Sequence, residues 1–189
     1  MGTDKAWLEF AGRPMIEWVL AAAASATASL SIIINSANPN AERYQELAAK
    51  WNAKVLYDLH DHQGPLGGIH TALHPLPQNN AALILACDLP FLTVEFLALL
   101  CQKHCDGQAQ ITVPLNQAGR WQPLVAIYSA SCLAAVEAQL AAQQLRVDRL
   151  FDLVRTEHIA FSVFAHLPGA QKLFLNINTP QDQRDAATG

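Results

Sequence analysis

Short apolar runs alternate with amphipathic stretches along the first two-thirds of the chain. The runs cover residues 30–34, 54–57 and 83–87, and their length and apolar content are typical of strands. Helices are predicted between and around them, over residues 14–26, 41–51, 64–73 and 93–105, the last with Thr93 as its N-cap. Such alternation favours a parallel sheet with helices on both faces. The pattern therefore predicts an α/β fold, and no repeat or linker divides the sequence, so one domain is expected over residues 1–189.

Both ends of the chain carry shorter elements. An extended segment over residues 7–10 precedes a turn at Ala11-Gly12. Ser129 or Ser131 begins a helix that runs to about residue 144. Thr179-Pro180 opens a last helix, with Thr as N-cap and Pro in the first turn. Further strands are predicted over residues 110–113, 122–128, 159–164 and 173–175, and a short helix over 147–154.

Polar side chains follow three of the predicted strands. Residues 83–87 lead to Asp88 and are interpreted as a strand buried on both faces, while the two earlier strands end at Asn35 and Asp58. Ligands of open α/β sheets bind where the carboxyl ends of parallel strands meet, so the three residues are expected to line one site. A carboxylate there can hold a metal ion against a phosphate. Asn and Asp are also common in turns, which is the alternative interpretation.

A glycine-rich loop, Gly64-Pro65-Leu66-Gly67-Gly68, opens the third helix. Glycines let a ligand approach the backbone, and a helix N-terminus offers free N–H groups, although a tight loop needs glycines as well. Lys5 could neutralise phosphate charge as a point cation. The sequence contains no P-loop, no Gly-x-Ser-x-Gly serine-hydrolase motif and no Gly-x-Gly-x-x-Gly dinucleotide motif.

Histidines and arginines supply two further clusters. His70 and His74 are spaced to face one ligand, but the sequence lacks the acidic residue of a His-Glu-x-x-His motif. Surface histidines are therefore favoured, with a zinc site as the alternative. Arg146, Arg149 and Arg155 form either an anion-attracting patch or a solvated face.

Composition limits the class of protein. The chain is 51% hydrophobic and 15% charged with a net charge of −4, which suits a globular enzyme or binding domain and disfavours nucleic-acid binding by charge. No apolar stretch of the sequence is long enough to cross a bilayer. The four cysteines form no Cys-x-x-Cys pair, so a cytoplasmic protein with free thiols is expected.

Several motifs together resemble the molybdenum cofactor guanylyltransferases. The resemblance spans nearly the whole chain, and its more specific parts are the glycine-rich loop and the Asn-x-Asn-Thr-Pro segment near the C-terminus. The others also occur in related nucleotidyltransferases that act on sugar phosphates or on the cytidine form of the cofactor. The motifs are Met1-Gly2-Thr3-Asp4-Lys5-Ala6, Gly12-Arg13-Pro14, Asn35, Asp58, Gly64-Pro65-Leu66-Gly67-Gly68-Ile69, Cys87-Asp88-Leu89-Pro90 and Asn176-Ile177-Asn178-Thr179-Pro180.

The resemblance implies a three-layer, Rossmann-like nucleotidyltransferase fold with a mostly parallel central sheet. It implies transfer of GMP from GTP to molybdenum-bearing molybdopterin with release of pyrophosphate and with Mg²⁺ as cofactor. A monomer is expected, with transient contacts to proteins of cofactor biosynthesis or delivery. The resemblance assigns Lys5 and Asp88 to catalysis, Lys5, Asn35, Asp58 and Asp88 to GTP, Asp88 to the metal, and Asn176 and Asn178 to molybdopterin.

The chain departs from the family pattern at its start. Family members begin with a buried strand and a loop resembling Leu-Ala-Gly-Gly-x-Ser-x-Arg-Met-Gly, and this sequence starts at the closing Met-Gly. We therefore expect a polypeptide that begins upstream of Met1. In the chain as given, the sheet is expected to lack an inner strand and to expose two edges, with weak or no GTP binding. A cytidylyl- or sugar-phosphate transferase and a non-catalytic molybdopterin-binding remnant are the alternatives.

Overall fold

The computed structural model of the protein describes residues 4–60 and 62–177. The strands in this part are β1 (Glu9–Phe10), β2 (Arg13–Pro14), β3 (Leu30–Ile34), β4 (Ala53–Tyr57), β5 (Ala81–Leu85), β6 (Ile111–Pro114), β7 (Val125–Ser129) and β8 (Thr156–Ile159). The α-helices are α1 (Met15–Ala24), α2 (Ala41–Lys50), α3 (Gly64–Leu73), α4 (Val94–Asp106), α5 (Leu133–Ala141), α6 (Leu150–Leu153) and α7 (Phe161–Phe164). Single 3₁₀ turns cover Lys5–Trp7, Ala130–Cys132, Val147–Arg149 and Ala170–Lys172.

The larger sheet is mixed rather than purely parallel: β5, β6 and β8 run in the same direction, in keeping with the predicted mostly parallel sheet, and β7 runs the opposite way. Its order is β5-β7-β6-β8, with β7 antiparallel to both neighbours and β8 parallel to β6. The link from β6 to β7, residues 115–124, contains a tight turn in which the Asn116 side chain accepts N–H groups from Ala118 and Arg120, each at 3.0 Å. A connection this short joins antiparallel neighbours, whereas a parallel pair needs a crossover. The α/β class is confirmed.

A gap separates β5 from the parallel pair β3–β4. Within the described ranges no hydrogen-bonded ladder joins β3 to β5. A cavity of about 760 Å³, called here the central cleft, lies between them. The central cleft is lined mainly by apolar side chains, among them Ile16, Leu20, Ile32, Ile69, Leu83 and Leu85. Among the described residues, the facing edges of β3 and β5 therefore have no strand paired to them, as expected for the chain as given.

The gap also changes the environment of β5. The sequence predicted a strand buried on both faces, but the side chains of residues 82–88 are only partly buried. This prediction is wrong because the central cleft leaves one side of β5 without a neighbouring strand. Burial is complete only farther along, at Leu89 and Pro90.

Two predicted strands near the C-terminal end are wrong. Of residues 159–164, only Ile159 belongs to a strand, as the last residue of β8, and residues 161–164 form α7. Residues 173–175 follow a 3₁₀ turn. Their apolar residues serve packing instead: Phe164 and Leu173 are fully buried, and the Phe164 ring lies 4.9 Å from that of Phe96. Short apolar runs do not distinguish a strand from a buried turn. The helix predicted from Thr179-Pro180 lies outside the described residues.

Helix starts follow the local signals. The Thr93 hydroxyl accepts the Phe96 N–H at 3.2 Å, which confirms the predicted N-cap of α4. Pro14 precedes α1, which begins one residue later at Met15. No α-helix of residues 4–60 and 62–177 is both long and apolar enough to cross a membrane.

The hydrogen-bond pattern of β5 identifies which amides face the central cleft. The Ala86 N–H donates to the Leu124 carbonyl at 2.8 Å, and the Ala130 N–H donates to the Asn80 carbonyl at 2.8 Å. Backbone groups alternate in direction along a strand, so Ala82 and Ile84 pair with β7. The N–H groups of Leu83 and Leu85 consequently point into the cleft.

Hydrogen exchange followed residue by residue by NMR tests this assignment. We expect the amides of Leu83 and Leu85 to exchange at least roughly tenfold faster than those of Ala82 and Ile84, because only the second pair is protected by β7. The amides of β7, which lies between two strands, serve as the protected reference. Equal protection along β5 would show that its cleft-facing edge is paired in solution.

Candidate functional site

The ends of β3 and β4 place Asn35 and Asp58 side by side. The two strands pair in parallel with Ile34 opposite Tyr57, and the Asp58 N–H donates to the Ile34 carbonyl at 2.9 Å. The Asn35 side-chain oxygen accepts the Ala37 N–H at 2.9 Å. The sequence prediction that these residues share one sheet edge is therefore confirmed in their position, and the turn role of Asn35 is real as well.

Helix α3 holds the Asp58 carboxylate in place. The Thr71 hydroxyl donates to Asp58 Oδ1 at 3.3 Å and accepts the Leu59 N–H at 3.0 Å. A Cβ on Gly68 would lie 4.0 Å from the same carboxylate oxygen. Thr71 was not singled out from the sequence, because its spacing from Asp58 carries no motif.

The glycine-rich loop is required by packing before any ligand is considered. A Cβ on Gly67 would lie 2.9 Å from the Gln63 Cβ, and Gly64 has a φ of 57°, a left-handed conformation that favours glycine. The glycine-rich stretch itself forms the start of α3, which begins at Gly64 with Pro65 in its first turn. The loop thus allows the start of α3 to approach the end of β4.

A polar contact fixes the segment that carries Lys5. The Asp4 carboxylate accepts the Ala6 N–H at 3.3 Å, which caps the 3₁₀ turn, and the Tyr44 hydroxyl at 2.9 Å. Burial and the neighbouring Asp4 raise the pKa of Tyr44, so the phenol stays protonated and donates. Lys5 itself is exposed. The sequence analysis did not assign this role to Asp4 or Tyr44, because hydroxyl contacts across elements leave no local signal.

The pKa of the Cys87 thiol depends on the charged residues near the end of β5. Burial raises the pKa of its thiol to about 11, with the carboxylates of Asp88 and Asp4 acting in the same direction and Lys5 acting against them. The structure therefore brings Lys5 and Asp88 into one electrostatic neighbourhood. Asp88 is partly buried, and none of the hydrogen bonds found in the described part of the chain reaches its carboxylate.

The last described residues of the chain lie beside Asp88. The Ile177 N–H donates to the Asp88 carbonyl at 3.3 Å, and the fully buried Ile177 packs with Met15. Asn176 precedes it and is exposed, so the segment carries Asn176 to the Asp88 side of the site. Asn178 lies outside the described residues.

The central cleft connects the two groups of residues. Its lining includes Asp58 and Gly68 from the β3–β4 side and Cys87 from the β5 side. The predicted residues thus fall into an Asn35–Asp58 group and a Lys5–Asp88–Asn176 group. Sequence spacing predicted the strand ends correctly, and the separation of the two sheets was expected only from the departure from the family pattern.

The histidine prediction needs correction. His70 was interpreted as a surface residue, but it is only 5% exposed. Its position on the inner face of α3, beside α5, accounts for the burial. His74 is exposed and caps the helix, as expected from the following Pro75.

Comparison with known proteins places the chain among nucleotidyltransferases. The family model described as MobA-like NTP transferase domain matches residues 1–158. A probable molybdenum cofactor guanylyltransferase of Pelotomaculum thermopropionicum is 32% identical over 182 residues, covering 96% of this chain and 83% of that protein. The molybdenum cofactor guanylyltransferase of Vibrio cholerae is 29% identical, with 96% and 81% covered.

Solved structures agree on the fold. The crystal structure of molybdopterin-guanine dinucleotide biosynthesis protein A from Archaeoglobus fulgidus superposes with a TM-score of 0.80 at 23% identity, covering 98% of this chain and 89% of that one. A 4-diphosphocytidyl-2C-methyl-D-erythritol synthase gives a TM-score of 0.66 at 16% identity, with 97% and 93% covered. At these identities the likeness shows the fold alone, which is the Rossmann-like nucleotidyltransferase fold.

The Asp4–Tyr44 contact predicts a stability effect. Tyr44→Phe keeps the buried ring but removes the donor to Asp4, and we expect a loss of about 1–2 kcal/mol in the free energy of unfolding. Urea denaturation measures it. Tyr57→Phe is the matched control, because its ring is 44% exposed and its hydroxyl accepts only a 3.4 Å bond from Gln45. Equal effects of the two substitutions would argue against a special role for Asp4.

The environment of Cys87 predicts that the pKa of its thiol changes when Asp88 is replaced. Asp88→Asn removes a negative charge that raises the pKa of Cys87, so the pKa of this thiol should fall below about 11. Cys132 is the control within the same protein, since burial raises its pKa to about 11 without a contribution from Asp88. NMR titration of the two Cβ shifts follows both groups. An unchanged Cys87 pKa would place Asp88 too far away to act on it.

Proposed function

The chain belongs to the MobA-like NTP transferase family, and from that premise we propose that it transfers GMP from GTP to the phosphate of molybdenum-bearing molybdopterin. Relatives that align along 96% of the chain carry the name guanylyltransferase, which supports both the nucleotide and the acceptor. The observation that carries the proposal is that Lys5 and Asp88 both act electrostatically on the Cys87 thiol at the end of β5.

The proposed reaction needs no nucleophile from the protein. An oxygen of the molybdopterin phosphate forms a bond to the α-phosphorus of GTP, and the bond to the bridging oxygen of the β-phosphate breaks. Pyrophosphate leaves with that electron pair, and no proton has to move because the attacking phosphate is already ionised. The obstacle is the repulsion between anions, so catalysis by positioning and by positive charge is sufficient.

Lys5 and Asp88 have complementary parts in this scheme. The exposed ammonium of Lys5 offsets charge on the triphosphate as a point cation. The Asp88 carboxylate fits a Mg²⁺ ligand, because it is partly buried and keeps its lone pairs free of hydrogen bonds from the described residues. When bound there, Mg²⁺ supplies further neutralisation of the developing pyrophosphate charge.

The Asn35–Asp58 group is proposed to bind the nucleoside part of GTP. Thr71 fixes one oxygen of Asp58, so the carboxylate is oriented before a ligand arrives and can accept N–H or O–H donors. Asn35 lies at the end of the neighbouring strand. Asn176 is proposed to contact molybdopterin, since amide side chains both donate and accept, and Asn178 is proposed for the same role.

The open central cleft favours a second candidate function. A cleft between β3 and β5 leaves the floor of the proposed nucleotide site without a strand, so the chain could hold molybdopterin without transferring GMP. Calorimetric titration with GTP and Mg²⁺, and separately with molybdopterin, distinguishes the two. Binding of molybdopterin alone would select the binding module.

Activity measurements on Asp88→Asn test the main proposal. We expect pyrophosphate release from GTP, in the presence of molybdenum-molybdopterin and Mg²⁺, to fall at least about 100-fold in kcat because the metal loses its carboxylate. Asp152→Asn is the matched control, as Asp152 is exposed on α6. Replacing GTP by CTP or UTP should abolish release.

Two outcomes would contradict the proposal. Full activity of Asp88→Asn would remove Asp88 from catalysis. Preference for CTP or UTP would assign the chain to a related cytidylyl- or sugar-phosphate transferase.

A further inference from the structure

A histidine pair on α3 faces a carboxylate on α5, and none of the three residues belongs to the proposed transfer site. His70 Nε2 lies 3.5 Å from Glu137 Oε1, and the His70 and His74 rings are 5.6 Å apart. One potential ligand atom from each of His70, His74 and Glu137 can be chosen so that all lie within 4.8 Å of one another. Three donors of the types that transition metals bind thus converge on one point.

Helix geometry produces this convergence. His70 and His74 are four residues apart, and residues at this spacing share one face of a helix. His74 precedes a proline, which disfavours helical geometry, yet it keeps φ −52° and ψ −43° and donates its N–H to the His70 carbonyl at 2.9 Å. The acidic partner comes from a different helix, which is why the local sequence motif was absent.

The burial of His70 sets this cluster apart from a chance surface grouping. The residue is 5% exposed, and its Nδ1 atom is buried without a hydrogen-bond partner in the part of the chain that the structure describes. Buried polar atoms nearly always have partners, so such an atom calls for an explanation. Coordination of a metal through Nε2 would account for the burial of this ring beside a carboxylate, and it would leave the ring proton on Nδ1.

We propose that His70, His74 and Glu137 bind a zinc ion, with the fourth position open to water. Two ligands held about 2.0–2.1 Å from zinc at a tetrahedral angle are about 3.3 Å apart, close to the observed His70–Glu137 separation. Two imidazoles and one carboxylate suit this borderline metal better than Mg²⁺, which prefers oxygen.

Zinc at this site fastens α3 to α5. His70 is followed by Thr71, whose hydroxyl holds Asp58, and α3 starts with the glycine-rich loop. The metal therefore stabilises the helix that orients the proposed nucleoside site, while contributing no atom to the transfer reaction. The inference rests on the helix geometry and stands independently of the proposed function.

Calorimetric titration of Zn²⁺ into the full chain, after removal of metals with a chelator, tests the site. We expect one ion per chain. His74→Gln and Glu137→Gln should each weaken binding at least about tenfold, the lower end of what losing even an outer partner costs. His166→Gln replaces an exposed histidine outside the cluster and should leave the affinity unchanged. Both altered ligands are exposed, and circular dichroism of the metal-free variants checks that the fold is retained.

Cobalt substitution supplies an independent readout. Co²⁺ in a four-coordinate site absorbs strongly in the visible range, and this band should be present in the parent chain and lost in both variants. Zinc binding that survives both substitutions would place the metal elsewhere, for example on Cys101 and Cys105, and would overturn the proposal. Absence of binding to the parent chain would overturn it as well.

Discussion

Within residues 4–60 and 62–177, strand β5 is held along one edge, by its antiparallel ladder with β7, and the position of Asp88 depends on that ladder. β7 is well suited to the task because residues 125–128 are buried, and Ile127 and Tyr128 pair with both β5 and β6. The register places Ala86 opposite Leu124, so the chain leaves the sheet at Cys87 and Asp88 in a defined direction. Helix packing around Phe96 then covers one face of the sheet. The acidic end of β5 is thus positioned by backbone hydrogen bonds to one neighbour and by apolar burial beneath it.

The other half of the site is built by polar contacts across elements. Tyr44 reaches from α2 to Asp4, and Thr71 reaches from α3 to Asp58. Both carboxylates are half-buried, where hydrogen bonds of this kind are stronger than in water. Each hydroxyl therefore orients the carboxylate that it contacts and leaves the negative charge of that carboxylate in place. Lys5 follows Asp4 directly, so the Tyr44 contact indirectly limits where its ammonium can go.

The sequence predicted most elements because their signals are local. Thr93 as N-cap, the glycine-rich start of α3 and the polar ends of β3 and β4 all depend on neighbouring residues, and the structure places them as expected. Strand β8 was misplaced because its residues, Thr156 to His158, are polar and become a strand only through pairing with β6. The burial of His70 depends likewise on α5, which is distant in sequence. Contacts between segments that are remote in sequence determine both strand β8 and the burial of His70. Such contacts produce no periodic pattern in the sequence.

The open edges of β3 and β5 affect how the protein behaves in concentrated solution. An unpaired edge offers a row of backbone donors and acceptors to any extended chain, and natural proteins usually blunt such edges with charges or prolines. Residues 81–85 read Ala-Ala-Leu-Ile-Leu and contain neither. Short segments with this composition stack readily into intermolecular sheets. The same geometry that leaves the cleft accessible to a ligand therefore makes β5 the place where self-association and aggregation begin.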